Sequence, residues 1–239
     1  MYEMKRKVTY SQVGSDLKID MAMLVHYFQD CAIFQSESIH KGFGEMERTH
    51  TTWYLSGWQI EVIRYPEFKE EITVRTWPHS FKGLYGYRNF DILDEKGNQI
   101  VQANSIWIFM DLEKMKPAKV TPEGIAGYDT EPAIDMEYAP RKIQIMDSAY
   151  RKEDVDDTPV IVKRSFLDSN LHVNNGRYVT EAMDYLQDFA AIKSMRVDYR
   201  KAAALGDRMY PAIYEQDNCC QVVFSDKQGN PFVIVEVLW

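Results

Sequence analysis

The sequence predicts an α+β fold of two tandem units, each a long helix followed by antiparallel strands, with all strands in one continuous sheet. An internal duplication carries this prediction. The stretch HYFQDCA at 26–32 is similar to DYLQDFA at 184–190, and FDILDEKGNQIVQ at 90–102 is similar to VVFSDKQGNPFVI at 222–234. Both pairs occur in the same order along the chain, which favours two copies of one helix-and-sheet unit.

Apolar residues at helical spacing predict one helix in each half. In the first half these residues are Leu24, Phe28, Cys31, Ala32 and Gln35. In the second half they are Tyr178, Ala182, Leu186 and Phe189. Asp and Asn side chains cap helix N-termini. We therefore expect Asp20 to cap the first helix and either Asn174 or Asn175 to cap the second.

Runs rich in β-branched and aromatic residues predict four long strands in each half. We expect these strands near 53–64, 71–77, 84–93, 99–110, 194–201, 207–216, 219–226 and 232–238. A short strand is expected before each helix, near 4–11 and 159–165. The pattern D-x-x-G-N at 94–98 and at 226–230 is a hairpin signal. A single helix can bury its apolar face in the curve of a twisted antiparallel sheet, which completes each unit.

A proline-rich stretch separates the halves. Residues 117–140 hold four of the nine prolines and two glycines, so they form neither a long helix nor a central strand. We therefore predict an N-terminal unit at 1–116, a linker at 117–157 and a C-terminal unit at 158–239.

The composition argues against several functional classes. The net charge of −8 disfavours bulk attraction to nucleic acid. No apolar run approaches the ~20 residues of a membrane span. The start MYEMKRKVTYSQ lacks an apolar h-region, so we expect no secretory signal and a cytoplasmic location. Cys31, Cys219 and Cys220 are few and odd in number, and no Cys/His spacing suggests zinc, so we expect reduced thiols and no metal.

One segment, FLDSNLHVNNGRYV at 166–179, concentrates polar side chains before a helix-like run. These side chains are Asp168, Asn170, His172, Asn174 and Asn175. A loop with a helix cap would explain them, because Asp and Asn are common in both. A functional site would also explain them, since in an extended segment residues 168, 170 and 172 point the same way.

Three stretches of the chain resemble the acyl-acyl carrier protein (acyl-ACP) thioesterases of plants and bacteria. WQIEVIRYPEFKEEITVRTW at 58–77 is similar to that family's first-half strands, and ANSIWIFMDLEKMKPAKVTPE at 103–123 is similar to its strand before the linker. LDSNLHVNNGRYV at 167–179 is similar to its D-x-N-x-H-V-N-N segment. The resemblance implies a double hotdog fold, in which each of two helices is wrapped by antiparallel sheet. It also implies hydrolysis of fatty acyl-ACP to a free fatty acid, with no cofactor.

By the same resemblance Asp168, Asn170 and His172 are catalytic. His172 can deprotonate a water and protonate the departing thiol, and Asn170 can donate to the oxyanion. Asp168 can orient His172, activate the water or attack the carbonyl, and the sequence leaves these choices open. The backbone at the start of the following helix adds partial positive charge. As substrate-binding residues we expect Asn174, Asn175 and, on the first helix, Met23, Tyr27 and Ala32, where Met and aromatic residues at helical spacing also suit plain core.

The chain departs from the family at one place. The family's Y-R-x-E segment is here VDYRKAAALGD at 197–207, so Ala202 stands at the glutamate position and Ala203 at the plant cysteine position. Three alternatives therefore stay open: an acyl-coenzyme A thioesterase, an acyl-binding protein without turnover, and a dehydratase-like hotdog enzyme.

The acidic carrier protein is the expected partner, docking on basic clusters within 114–119 and 141–164. The oligomeric state, a homodimer included, is not predicted.

Overall fold

The computed structural model describes residues 1–146, 149–151, 158–186 and 192–239. The chain divides into two compact units. Unit 1 comprises Met1–Ser56 and Ile60–Ala139, and unit 2 comprises Gly57–Gln59 and Pro140–Trp239. The main division, after residue 139, falls inside the stretch that the sequence predicts to be a linker. In the part of the chain that the structure describes, no helix has the length and apolarity needed to span a membrane.

Unit 1 places one long helix against antiparallel strands. Its strands are β1 (Tyr2–Lys7), β2 (Thr51–Val62, apart from residues 57–59), β3 (Glu71–Lys82), β4 (Tyr85–Leu93), β5 (Gln99–Asp111) and β6 (Lys116–Pro117), and its helices are α1 (Met21–Ser38), α2 (Phe43–Thr49) and α3 (Pro122–Ile125). The main strand order is β1-β3-β4-β5-β2. The Asp20 carboxylate accepts a hydrogen bond from Met23 N at 2.7 Å, as predicted for an N-cap. The buried face of α1 meets the sheet where Phe28 packs on Phe90 at a ring distance of 5.0 Å.

Unit 2 repeats this plan with a shorter helix. Its strands are β7 (Tyr150–Arg151), β8 (Val160–Ile161), β9 (Ser194–Tyr199), β10 (Arg208–Gln216), β11 (Cys219–Ser225) and β12 (Pro231–Leu238), and its helix is α4 (Asn175–Met183). Antiparallel pairs give the order β9-β12-β11-β10, and β7 and β8 both pair with β10. Phe189, predicted to continue the apolar face of the second helix, lies outside the described residues.

The predicted strands are confirmed, with several ends shifted. The short strand expected near 4–11 is Tyr2–Lys7, since Tyr10–Gln12 forms a 3₁₀ turn, and the strand expected near 194–201 ends at Tyr199. Strand β3 continues past Trp77 to Lys82, because Pro78 lies at a register shift between Pro78 and Ser80, where its missing N–H is tolerated. The short strand predicted at 159–165 is reduced to Val160–Ile161, since Arg164–Phe166 forms a 3₁₀ turn.

Two hairpin turns have the same five-residue form. In the turn Asp94–Asn98, the N–H of Asp94 donates to the carbonyl of Asn98 at 2.9 Å. Gly97, with a φ of 83°, donates its N–H to the carbonyl of Asp94 at 3.0 Å. The Asp94 carboxylate accepts from the N–H groups two and four residues later. Asp226–Asn230 repeats every one of these bonds, with Gly229 at φ of 82°. The D-x-x-G-N hairpin prediction is therefore confirmed in both halves.

The linker is bound to the sheets rather than free. In unit 1 the buried Asn89 side chain accepts hydrogen bonds from Ile134 N at 3.1 Å and from the Tyr138 hydroxyl at 3.2 Å. In unit 2 the buried Gln221 side chain accepts from Met146 N at 3.0 Å. Because buried amides need partners, these contacts satisfy the sheet residues and hold the linker at the same time.

Candidate active site

The polar segment forms a third copy of the hairpin turn. Asp168 N donates to the His172 carbonyl at 2.8 Å, and Leu171 N donates to the Asp168 carbonyl at 3.1 Å. Leu171 has a φ of 61°, the left-handed conformation that Gly97 and Gly229 adopt in the two hairpins. The interpretation of residues 168–172 as an extended segment is therefore wrong. A tight turn, which we call the catalytic turn (Asp168–His172), brings the three predicted catalytic residues together.

Several side-chain atoms of the catalytic turn have no hydrogen-bond partner among the described residues. Asp168 Oδ1 accepts from Asn170 N at 2.8 Å and, more weakly, from His172 N at 3.4 Å. In both hairpin turns the fifth residue is an asparagine whose amide binds the aspartate carboxylate. Here the fifth residue is His172, and within the described ranges no hydrogen bond reaches Asp168 Oδ2, the His172 ring or the Asn170 amide. These atoms are free for water and substrate.

The residues after the turn fix where it points. Leu167 and Val173 form an antiparallel bridge, and Asn174 N donates to the Phe166 carbonyl at 2.8 Å. The Asn174 side chain then accepts from Gly176 N at 2.9 Å and caps α4, which settles the choice between Asn174 and Asn175. The helix-cap interpretation is therefore confirmed for Asn174, and the site interpretation of Asp168, Asn170 and His172 stays a prediction. Substrate contact by these two residues stays a prediction.

A second backbone segment lies beside the turn. Val173 N donates to the Ala203 carbonyl at 2.9 Å, and His172 forms an antiparallel bridge with Ala204. Two residues that are opposite each other in an antiparallel bridge project their side chains to the same face of the paired segments. Residues two positions apart along one extended segment also project to the same face. The side chains of Ala202, Ala204 and His172 therefore project to the same side. Ala202 is exposed and Ala203 is fully buried, so a larger side chain fits only at Ala202.

Sequence reasoning treated Tyr178 as a core residue and missed its link to the turn. Its ring is buried in α4, but its hydroxyl accepts the Ala203 N–H at 2.9 Å. Burial raises the pKa of the Tyr178 hydroxyl to about 12, so it stays protonated at neutral pH. The ring packs on Tyr199 at 5.9 Å, and Tyr199 donates to the Asn175 carbonyl at 3.0 Å. Tyr178 thus connects the helix after the turn to the segment beside it.

The predicted acyl-binding residues lie on α1 in unit 1. Tyr27 and Ala32 are buried and Met23 is half-buried. The Tyr27 hydroxyl donates to the Gln12 side chain at 2.8 Å, which gives it a structural partner. Contact of these three residues with an acyl chain stays a prediction.

None of the three cysteines forms a disulfide. Burial raises the pKa of Cys31 to about 12 and that of Cys219 to about 11, so neither is a thiolate at neutral pH. In the part of the chain that the structure describes, no group of three or more His, Cys, Asp and Glu side chains could hold a metal ion.

Comparison with protein families gives two successive matches. Residues 1–128 match the acyl-ACP thioesterase N-terminal domain, and residues 148–239 match the acyl-ACP thioesterase C-terminal domain. The palmitoyl-acyl carrier protein thioesterase of Gossypium hirsutum chloroplasts is 28% identical over 182 residues, which are 70% of this chain and 43% of that protein. The chain spans about half the length of the curated relatives that it matches.

Solved structures match the chain over nearly its whole length. An acyl-ACP thioesterase from Bacteroides thetaiotaomicron has a TM-score of 0.86 at 22% identity, covering 99% of this chain and 96% of that one. The 12:0-ACP thioesterase from Umbellularia californica has a TM-score of 0.83 at 18% identity, covering 100% and 95%. These likenesses confirm the predicted α+β double hotdog fold.

Proposed function

Because the chain belongs to the acyl-ACP thioesterase family, we propose that it hydrolyses fatty acyl-acyl carrier protein and releases a free fatty acid. The observation that carries this proposal is the catalytic turn. It presents a carboxylate oxygen, an imidazole and an amide that no described residue occupies, whereas the two matching hairpin turns of the chain tie up their carboxylates.

In the proposed reaction His172 takes a proton from a water whose oxygen attacks the thioester carbonyl. The free Oδ2 of Asp168 accepts the other hydrogen of that water. The Asn170 amide and the positive N-terminal end of α4 stabilise the oxyanion of the tetrahedral intermediate. When the carbon–sulfur bond breaks, the proton held by His172 passes to the sulfur. The products are a fatty acid and the free thiol of the carrier.

The preferred carrier can be measured directly. We expect kcat/KM to be higher for acyl-ACP than for acyl-coenzyme A of the same chain, and the preference to weaken with salt, because contacts to an acidic carrier protein are screened. The test is kcat/KM for both substrates at low and high ionic strength, with release of free thiol and of free fatty acid as separate readouts. Equal values at both salt concentrations would exclude the carrier protein as the preferred substrate. Failure to release thiol from any acyl thioester would exclude hydrolysis itself.

Ala202 tests whether the family's glutamate is needed here. We expect the natural protein to be active and Ala202→Glu to raise kcat by less than about 10-fold, which corresponds to ~1.4 kcal/mol. The thioester has a good leaving group, and a carboxylate at the exposed position 202 stays well hydrated, so it adds little driving force. Ala202→Gln is the uncharged control, and kcat is measured across a full pH profile. A larger gain, specific to Glu, would show that the missing carboxylate limits catalysis and would favour acyl binding as the natural role.

We also infer that the protein works in the cytoplasm. None of its three cysteines forms a disulfide, which is the usual state in a reducing compartment. Location of the tagged protein in fractionated cells of its source tests this inference.

A further inference from the structure

We propose that an exposed rim beside the catalytic turn is the surface on which the carrier protein docks. The docking rim consists of Ile161, Lys163, Arg164, Leu171, Leu205 and Arg208. This inference rests on the proposed function and deepens it, because it assigns the carrier protein a surface of apolar and basic side chains in unit 2.

Leu171 is the first indication of the rim. Gly97 and Gly229 occupy its position in the two matching turns, where the left-handed backbone suits glycine. Leu171 adopts the same conformation, which is less favourable in free energy for a residue with a Cβ atom than for glycine. Its side chain is 71% exposed, so no burial offsets that cost. A strained backbone that displays an apolar side chain next to catalytic residues is typical of a contact surface.

Other apolar side chains surround Leu171. The bridge between His172 and Ala204 brings the two backbone segments together, so that Leu171 and Leu205 each lie one residue from it. Leu205 is 54% exposed. Ile161 is 50% exposed and directly precedes Val162. The N–H and the carbonyl of Val162 both form hydrogen bonds with the backbone of the turn that follows Leu205. Three exposed aliphatic side chains around one turn exceed the scattered exposure that folding alone explains.

Three cations accompany these apolar side chains. Lys163, Arg164 and Arg208 are exposed, and no carboxylate of the described residues pairs with any of them. Arg208 is directly opposite Ile161 in the β8–β10 pair. Asp207, the acidic residue of this turn, directs its carboxylate at Ala204 N, at 2.9 Å, instead.

Elsewhere among the described residues, some exposed lysines have carboxylate partners and others, such as Lys96 and Lys227, have none. Lys114 pairs with Asp111 at 2.6 Å and Lys201 with Asp226 at 3.2 Å. In a chain with a net charge of −8, three cations that have no carboxylate partner among the described residues lie close together beside the site. Of the basic clusters expected from the sequence, Lys163 and Arg164 belong to the rim, whereas Lys114 is already paired and Lys152 lies outside the described residues.

This mixture of side chains suits one kind of partner. A surface with cations alone would suit binding of the coenzyme A phosphates. A surface with apolar side chains alone would suit binding of many different proteins. An acidic protein with apolar contacts satisfies both sets of side chains at once, and the rim would hold it where its thioester reaches His172. The carrier protein of the proposed reaction has the required charge and is large enough to cover six residues.

Charge reversal is the main test. In the double variant Lys163→Glu/Arg164→Glu we expect KM for acyl-ACP to rise at least about 10-fold, with kcat/KM for an acyl thioester of N-acetylcysteamine changed less than about 2-fold. The control is Lys96→Glu/Lys227→Glu, which makes the same charge change at the exposed tips of the two hairpin turns. Circular dichroism melting shows that each variant is folded. A control that raises KM as much as the rim variant would show that only net charge matters.

Leu171→Gly and Leu205→Ser test the apolar part of the rim. We expect Leu171→Gly to keep or raise the melting temperature, because glycine relieves the left-handed strain, and yet to raise KM for acyl-ACP at least about 3-fold. Unchanged KM in both leucine variants and in the charge-reversed variant, with the natural protein active on acyl-ACP, would overturn the rim and leave the proposed function standing. Natural protein inactive on every thioester would overturn the function. Loss of binding to anionic phosphatidylglycerol vesicles, with KM unchanged, would reassign the rim to a lipid surface.

Discussion

Replacing His172 by asparagine is expected to lower kcat by at least about 10²-fold, the usual loss when a general acid–base group is removed. Asparagine is preferable to alanine here because the chain already uses it at the corresponding position of two matching turns. Asn98 and Asn230 both donate from the side-chain amide to the aspartate of their turn. The asparagine introduced in the His172→Asn variant would close the catalytic turn around Asp168 in the same way, so the melting temperature should stay the same or rise.

The measurement for His172→Asn is kcat with acyl-ACP across pH, together with thermal unfolding of both proteins. Loss of activity without loss of stability separates a chemical role of the imidazole from a structural one. His79→Asn is a matched control, since His79 is a half-buried histidine of unit 1 whose ring lies 3.3 Å from the Asn104 side chain. A folded His172→Asn protein with near-natural kcat would remove His172 from the mechanism.

The helices and strands could be predicted because their patterns are regular. Phe28 and Cys31 repeat at helical spacing and both prove to be fully buried on α1, and Asp20 caps that helix as expected. The hairpins were predictable because Gly97 and Gly229 are a strong signal of a left-handed residue. Periodicity and turn chemistry are local properties, so a single sequence reveals them.

The conformation of the candidate site was not predictable to the same extent. Asp168 to His172 has the spacing of the two hairpin turns, but Leu171 replaces the glycine that identifies them. That substitution conceals the turn from any pattern based on glycine. The bond between the Tyr178 hydroxyl and Ala203 N joins residues 25 positions apart, and helical spacing assigns Tyr178 only to the core. Residue types therefore indicated the chemistry, and tertiary contacts decided its geometry.

Changing Asp168 to asparagine is expected to lower kcat by at least about 10²-fold with little change in fold. The amide oxygen of asparagine can still accept from Asn170 N, so the turn keeps its first hydrogen bond. Only the negative charge and the acceptor strength of the free oxygen are lost, and these are what an attacking water or an imidazolium ion needs. Asp226→Asn is the control, because Asp226 closes a turn of the same form.

The same variant separates the roles that the sequence left open for Asp168. Turnover of the natural enzyme in ¹⁸O-labelled water labels the Asp168 carboxylate only if that carboxylate attacks the carbonyl and is then hydrolysed. We expect no label in the peptide that contains Asp168, because the His172 ring stands at the other end of the same turn with its nitrogens free to activate water directly. Label in that peptide would establish a covalent acyl-enzyme, and activity in Asp168→Asn equal to that of Asp226→Asn would leave the carboxylate with a structural role only.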